Sequence, residues 1–300
     1  MATVRELLDV GIARLRGSGS ESARLDTELL LAFALETDRT TILAHPDAPV
    51  GDGAASRFEA TLDRRAAGEP VAYIRGVKEF HGLAFGADGR ALIPRPETER
   101  LVELAELEIV RRLSGAPRPA GSPPLRVLDV GVGSGAVAVT LAVLLRRRGM
   151  DADVQLVASD VSEDALQLAR ENAVAHAVGD RIDFRAADLI PGDEMLRWDI
   201  VAANLPYVRS DAVPELPKAA SFEPVLALDG GPDGLRIIAR LLDQLAGALE
   251  RDGVALLEIG GDQGQAMRDV AAERLPDWSC EIEADLGGLP RVAVLRQSQS

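Results

Sequence analysis

Five short strand-like runs, rich in Val, Leu, Ile and Ala and most of them followed by a segment of helix length, constrain this chain more than any other feature. They occupy residues 126–130, 154–159, 182–186, 200–203 and 254–259. A run such as Ile200-Val201-Ala202-Ala203 has no polar side, so a strand formed there must be covered on both faces. Neighbouring parallel strands need long crossovers, and the helical segments between the runs supply them. The expectation is an α/β fold built on a mostly parallel sheet. Two further extended stretches within 280–295, on either side of Gly287-Gly288-Leu289-Pro290, suggest an antiparallel pair that finishes it.

The region before the first run has a different pattern. Thr3 and Glu6 have the spacing of a capping box, and Leu7, Leu8, Ile12 and Leu15 follow at helical spacing to the break at Gly17-Ser18-Gly19-Ser20. Residues 23–35 and 54–67 read as further helices, the second closed by Gly68-Glu69-Pro70. From Ala72 to Leu92 the composition shifts to Val, Ile, Tyr and Phe interrupted by Gly82, Gly86 and Gly89, which suggests a β-hairpin connector. Helix returns over 97–113, and residues 115–124, rich in Pro, Gly and Ala, form a loop. The boundaries expected are a helical domain over 1–71, a connector over 72–94 and an α/β domain over 95–300.

Composition removes several function classes. A chain of 300 residues with 47% hydrophobic content has ample core, while a net charge of −15 leaves no broad surface for tracking phosphates. The single Cys280 permits no internal disulfide, and His45, His81 and His176 are scattered, so a multi-ligand metal site is not expected and a reducing cytoplasm fits. His81, beside Phe80, reads as a packed structural residue. Arg5, Glu6 and Asp9 stand where a secretory signal would need apolar residues. The uncharged run over 130–145 contains three glycines and falls short of the ~20 apolar residues of a membrane span.

Two motifs carry chemistry. In Asp129-Val130-Gly131-Val132-Gly133-Ser134-Gly135 the first run turns into the first helix of the α/β domain, and its glycines let the backbone approach a ligand closely. The spacing also satisfies a dinucleotide fingerprint. Asp129 favours S-adenosylmethionine over NAD: a carboxylate so near the loop repels a pyrophosphate but accepts from a methionine ammonium group. Asp160, ending the second run, suits the ribose hydroxyls, with a helix N-cap as the plainer role; Ser162 can take that cap instead. Asp188, ending the third run, is a candidate for the adenine amino group with Leu189 packed on the ring, or else a solvated loop acid.

The second motif is Asn204-Leu205-Pro206-Tyr207, which ends the fourth run. Pro206 holds Leu205 extended, so its carbonyl is not absorbed into a helix. With the Asn204 side-chain oxygen it makes two acceptors that suit a planar NH2 group. A strand-ending turn is the plainer reading of the same residues. Tyr207 can pack beside a cationic methyl donor, wall a substrate channel, or fill the base of the loop. Ligands in open α/β sheets bind at the carboxyl ends of the strands beside the switch point, which brings these loops to one place.

With both motifs present, the chain resembles the protein-(glutamine-N5) methyltransferase family, PrmC or HemK, which methylates the glutamine of the Gly-Gly-Gln motif in class I peptide-chain release factors. The likeness spans nearly the whole chain. It includes the helical N-terminal region, Ala72-Tyr-Ile-Arg-Gly-Val-Lys-Glu-Phe-His-Gly-Leu-Ala-Phe85, Leu92-Ile-Pro-Arg-Pro-Glu-Thr-Glu99, both loops, Glu223-Pro224 and Gly230-Gly-Pro-Asp-Gly-Leu235. It implies a Rossmann-like S-adenosylmethionine-dependent methyltransferase domain with a mostly parallel seven-stranded sheet, behind a small helical domain that docks substrate. It also implies a cytoplasmic enzyme whose partner is a class I release factor, with neither direct nucleic-acid nor membrane binding.

In that reading Asn204, Leu205, Pro206 and Tyr207 form the catalytic loop. Asp129, Gly131, Val132, Gly133, Ser134, Gly135, Asp160, Asp188, Leu189 and Asn204 hold the cofactor. The family has Asn-Pro-Pro-Tyr where this chain has Leu205, and Asn-Leu-Pro-Tyr is also similar to the motif of ribosomal RNA adenine dimethyltransferases. An RNA or DNA N6-adenine methyltransferase and a methyltransferase for a ribosomal-protein glutamine therefore stand as alternatives. Arg95, Glu97 and Glu99 run near the cleft, or Thr98 and the two acids cap the following helix, and Gly230, Gly231 and Gly234 either belong to the site or form turns.

Overall fold

The computed structural model describes residues 1–115, 122–192 and 196–298. Residues 116–121 of the loop expected over 115–124 lie outside that set. Two compact units divide the chain, Met1–Val77 with Leu216–Phe222, and Lys78–Glu215 with Glu223–Ser300. Among the described residues no helix is long and apolar enough to cross a membrane.

The first unit is helical: α1 Val4–Gly17, α2 Ala23–Ala34, α3 Arg39–Ala44, α4 Asp52–Ala66 and α5 Val71–Arg75. The capping box is formed, Thr3 Oγ1 accepting from the Glu6 amide at 3.3 Å and Glu6 Oε2 from the Thr3 amide at 2.8 Å. Leu15, Leu30, Leu31, Phe58 and Leu62 fill the core. Asp26 is buried there and pairs with Arg65 at 2.8 Å. Two elements depart from the sequence expectation. Helix α3 starts where Asp38 accepts from the Thr41 amide at 2.7 Å, but the helix is too short to show a period and so leaves no sequence signal. Residues 71–75, expected in part as hairpin, are helical: Pro70 precedes the first turn and Gly76, with φ of 70°, closes it. Those end signals outweigh the β-branched composition between them.

The second unit begins at Lys78, one residue into the hairpin of β1 Val77–Phe80 and β2 Leu83–Gly86, and continues with α6 Glu99–Ser114 after a 3₁₀ turn at Pro96–Thr98. There follow β3 Leu125–Val130, α7 Ala136–Arg148, β4 Val154–Asp160, α8 Glu163–Ala175, β5 Ile182–Ala186, β6 Trp198–Ala203, β7 Val208–Arg209 and β8 Asp229–Gly231. The chain continues through α9 Arg236–Ala248, β9 Leu249–Glu258, α10 Gly264–Arg274, β10 Trp278–Ala284 and β11 Pro290–Gln297. All five runs are strands of one seven-stranded sheet, ordered β10-β11-β9-β6-β3-β4-β5. Pairing is parallel from β9 to β5 and antiparallel at β9–β11 and β11–β10.

Side chains alternate across the strands, so each buried strand feeds two cores. On one face Val127, Leu156 and Ile200 meet Leu101, Ile109, Leu141 and Leu166 of α6, α7 and α8. On the other Leu128, Val157 and Val201 meet Ile238, Leu242 and Met267 of α9 and α10. From β3 the chain moves outward to β4 and β5, then returns to place β6 on the opposite flank of β3. This reversal is the switch point. There Val130 pairs with both Ala203 and Ser159, so Gly131, Asn204 and Asp160 leave adjacent strand ends together.

Candidate active site

The glycine loop is tied down from below. The amides of Gly131 and Val132 both donate to the Ser159 carbonyl, at 2.8 and 2.9 Å, and the Ser159 hydroxyl donates to the Leu189 carbonyl at 2.8 Å. Three strand ends are thereby joined through one residue. Asp160 accepts from the Gly133 amide and the Ser162 amide, each at 2.9 Å. Ser162 makes the cap of α8, accepting from the Ala165 amide at 3.3 Å, which leaves the Asp160 carboxyl as a bridge between the two loops.

Asp129 Oδ2 accepts from the Ala138 amide at 3.0 Å and is otherwise enclosed. Burial pushes its carboxyl up to about 7, against the Ala138 hydrogen bond, and the neighbouring Asp160 adds to the rise. Asp160 is also raised, again chiefly by burial and against its backbone hydrogen bonds. Carboxylate oxygens retain lone pairs beyond one bond each, so both acids can still accept from a ligand. They line a cavity of about 590 Å³ at the switch point, within the range of small-molecule sites.

The Asn204 loop lines the same cavity. Asn204 Nδ2 donates to the Thr98 hydroxyl at 2.9 Å, which turns Oδ1 away from Thr98. Among the described residues neither Oδ1 nor the Leu205 carbonyl receives a hydrogen bond. The Leu205 side chain is buried against Gly131, where an added Cβ would stand 3.0 Å from Leu205 Cδ2. The expected capping role of Thr98 at α6 is not what its side chain does: it makes no capping bond, and the Asn204 amide takes it instead.

Most residues expected at the site do line the cavity: Asp129, Gly131 to Ser134, Asp160, Asp188, Leu189 and Asn204 to Pro206. Asp188 is exposed and pairs with Arg240 at 2.6 Å, while Leu189, with φ of 72°, is buried. Gly135 and Tyr207 stand outside the lining. Gly135 packs under the loop, where an added Cβ would meet Ala169 Cα at 3.3 Å. Tyr207 turns inward, its hydroxyl 3.4 Å from Glu258 Oε1, and burial with the nearby Glu258 pushes its phenol up to about 12.

Three supports, Asn172, Gln263 and Glu258, escaped the sequence reading, and a fourth, Glu223, entered it only as part of the family likeness. Asn172 of α8 donates to the carbonyls of Ser134 at 2.8 Å and Gly86 at 3.2 Å and accepts from the Gly86 amide at 2.7 Å, fastening the glycine loop to the hairpin. Glu223 is buried and accepts from the Ile93 amide at 3.0 Å and from Arg95 at 2.5 Å, which fixes the segment 92–95 along the cavity. Gln263 donates to the Tyr207 carbonyl at 2.9 Å. Glu258, at the end of β9, lies behind Thr98 and Tyr207. The glycines of Gly230-Gly-Pro-Asp-Gly234 also have a reason beyond turning: a Cβ on Gly230 would lie 2.6 Å from the Pro206 carbonyl oxygen, and one on Gly234 would collide with that of Tyr207.

Comparison with known proteins shows the family to which the chain belongs. The family model described as PrmC N-terminal domain matches residues 6–76, and that of the methyltransferase small domain matches 120–218. The hMettl16 catalytic domain, solved in complex with MAT2A 3′UTR hairpin 6, shares the fold at a TM-score of 0.52 and 15% identity, covering 83% of each chain. A release factor glutamine methyltransferase of Moorella thermoacetica is 39% identical over 90% of this chain and 89% of its own. One from Koribacter versatilis is 36% identical over 99% of this chain and 100% of its own. Likeness of that extent runs through the helical unit, the glycine loop and the Asn204 loop alike, and the chain belongs to the release factor glutamine methyltransferase family.

Proposed function

We propose that this chain transfers a methyl group from S-adenosylmethionine to the side-chain nitrogen of the glutamine in the Gly-Gly-Gln motif of a class I peptide-chain release factor. The observation that carries the reading is the pair of acceptors without a hydrogen bond among the described residues, Asn204 Oδ1 and the Leu205 carbonyl, in residues that line the same cavity as Asp129 and Asp160. The residues present fit the cofactor. Glycines at 131 and 133 leave the cradle without Cβ atoms, Asp129 suits an ammonium group, and Asp160 suits a pair of ribose hydroxyls. Bound there, S-adenosylmethionine supplies a methyl group on a sulfonium sulfur, the electrophile of the transfer.

A glutamine amide nitrogen is a poor nucleophile because its lone pair is delocalised into the carbonyl. Asn204 Oδ1 and the Leu205 carbonyl accept its two hydrogens, set the plane of the NH2 group and favour the positive charge that nitrogen gains on attack, which it gives up by releasing one of those hydrogens as a proton to water while the methyl carbon's bond to sulfur breaks. Thr98 holds Asn204 with its oxygen outward, and Gln263 and Gly230 hold the following two residues. No side chain has to act as a nucleophile. The helical unit provides a second docking surface for the release factor, and the acidity of the chain argues against a nucleic-acid substrate.

The test incubates the purified protein with methyl-labelled S-adenosylmethionine and either a class I release factor or ribosomal RNA. Label should enter the release factor and disappear when its Gly-Gly-Gln glutamine is replaced. Label on RNA alone would reverse the assignment.

A further inference from the structure

We propose that Glu258 is a positioning residue that sets which way the Asn204 carboxamide faces, acting through the hydroxyl of Thr98. This rests on the reading of Asn204 as the amide clamp.

Glu258 is the last residue of β9, set between Leu257 and Ile259, and is 1% exposed. Its neighbours come from three elements. The 3₁₀ turn before α6 brings Thr98 and Glu97, the loop after β6 brings Tyr207, and β11 brings Arg291, whose guanidinium is engaged by Asp285 at 3.0 Å. Arg95 acts on Tyr207 through its charge. Among the described residues Oε1 has only the long contact from the Tyr207 hydroxyl at 3.4 Å, and Oε2 is buried with no hydrogen bond of ordinary geometry. A buried carboxyl left so poorly paired is costly to the fold, and strand positions on either side of it are aliphatic.

Its use follows from hydrogen-bond polarity. Thr98 carries one proton and two lone pairs, and the direction of that proton decides what the hydroxyl offers Asn204. An ionised Glu258 only accepts, so it draws the Thr98 proton toward itself, an interaction that favours the charged carboxyl. The Thr98 oxygen then faces Asn204 with lone pairs, takes Nδ2, and leaves Oδ1 for the substrate, as the 2.9 Å bond records. A protonated Glu258 reverses the chain. It donates to Thr98, frees the Thr98 proton to bond Asn204 Oδ1, and turns Nδ2 to the cavity, where it offers a donor to a group that needs an acceptor. Burial pushes the Glu258 carboxyl up to about 7, against Thr98, Arg291 and Tyr207 and with help from Glu97, so both states are reached near neutrality.

The experiment follows the Asn204 side-chain NH2 resonance by nitrogen-15 NMR on the full chain with S-adenosylhomocysteine bound, between about pH 6 and about pH 9. Asn204→Asp identifies the signal. The wild type should titrate with a midpoint near 7, and both Glu258→Gln and Thr98→Val should abolish that transition, while Glu258→Asp should retain it. Thermal unfolding and calorimetric binding of S-adenosylhomocysteine show that each variant is folded.

In methyl transfer to a release factor, kcat should show the same acid limb. Glu258→Gln should lower kcat about tenfold at high pH with KM for the methyl donor unchanged, and adding Thr98→Val should cost nothing more. A flat wild-type resonance, or a transition that survives Glu258→Gln as it would if Asp129 were its source, overturns the proposal. Titration without glutamine methylation would instead refute the proposed reaction and leave the positioning intact, and methylation with a flat resonance would do the reverse.

Discussion

Gly230→Ala isolates the contact that holds the Asn204 loop in place. The glycine sits in β8 without positive φ, so alanine brings no backbone strain and the whole effect is steric. The new Cβ would stand 2.6 Å from the Pro206 carbonyl oxygen, 2.6 Å from that of Gly234 and 2.8 Å from Tyr207 Cα. All three atoms are backbone, so no side chain can swing aside, and the loop must retreat by several tenths of an ångström to reach an ordinary contact. Overpacking of that kind costs about 1–3 kcal/mol. The larger consequence is on the reaction, because the displaced residues directly follow the two acceptors. A misplacement of ~1 Å at a reacting centre costs about a hundredfold, so a shift of roughly half that should lower kcat about tenfold. Gly230 is not among the residues that line the cavity with Asp129 and Asp160, so affinity for S-adenosylhomocysteine should stay within about twofold, a bound set by the absence of any new unpaired group at the cofactor cradle.

The assay measures kcat and KM with a release factor, cofactor affinity by calorimetry, and thermal unfolding. Gly247→Ala is the control, since nothing lies within 4 Å of its added Cβ; as a helix residue in α9 it should stabilise by about 0.5–1 kcal/mol without touching kcat. A Gly230→Ala enzyme with wild-type kcat and wild-type stability would refute the close approach and with it the argument that this glycine shapes the loop.

Asn172→Ala removes both bonds to the Ser134 and Gly86 carbonyls and leaves the Gly86 amide without a partner, so cofactor affinity should fall about tenfold with a stability loss of about 1–3 kcal/mol, read by calorimetry and unfolding. Leu205→Pro restores the family residue while keeping the carbonyl; kcat should change by less than about fivefold, with about 1–2 kcal/mol lost from the packing on Gly131, and a change of a hundredfold would mean that loop rigidity governs the site. Glu258 and Asp129 predict a pH dependence of stability. Both carboxyls are raised to about 7 from 4.5 and 3.8, so the folded state binds their protons more tightly than the unfolded state. Their stabilisation is therefore full below about pH 4 and lost as pH rises to about 7, by at most about 3–4 kcal/mol each. Unfolding at about pH 8 should accordingly show Glu258→Gln more stable than the wild type, an advantage absent at about pH 5.

How much of this was legible in the sequence depends on whether a residue's role is local. The parallel strands of the large sheet were readable because each is a short β-prone segment set between turn and helix signals, and the glycine loop because its spacing repeats the backbone geometry it must adopt. The order of the sheet needed only that five parallel strands be wound outward in both directions from β3, which brings the Asn204 loop and Gly131 to adjacent strand ends. Thr98 and Asn172 were unreadable for the opposite reason: each is an ordinary polar residue near a helix, and its partner stands 106 or 38 positions away in the chain. The two-residue strand β7 was too short to show a period.

Glu258 lies between these cases. A single acid embedded in Val254-Ala255-Leu256-Leu257-Glu258-Ile259 cannot face solvent while its neighbours on both sides are buried in a central strand, so the sequence already places a carboxyl where water does not reach. A carboxyl in that position must be paired, protonated or used. The Thr98, Tyr207 and Arg291 neighbours favour its charged form, but not enough to cancel burial, which leaves the group near neutrality at the back of the two acceptors. An isolated acid at the end of an otherwise aliphatic strand, beside a switch point, is thus a sequence signal for a residue that controls the hydrogen-bond direction of the loop in front of it.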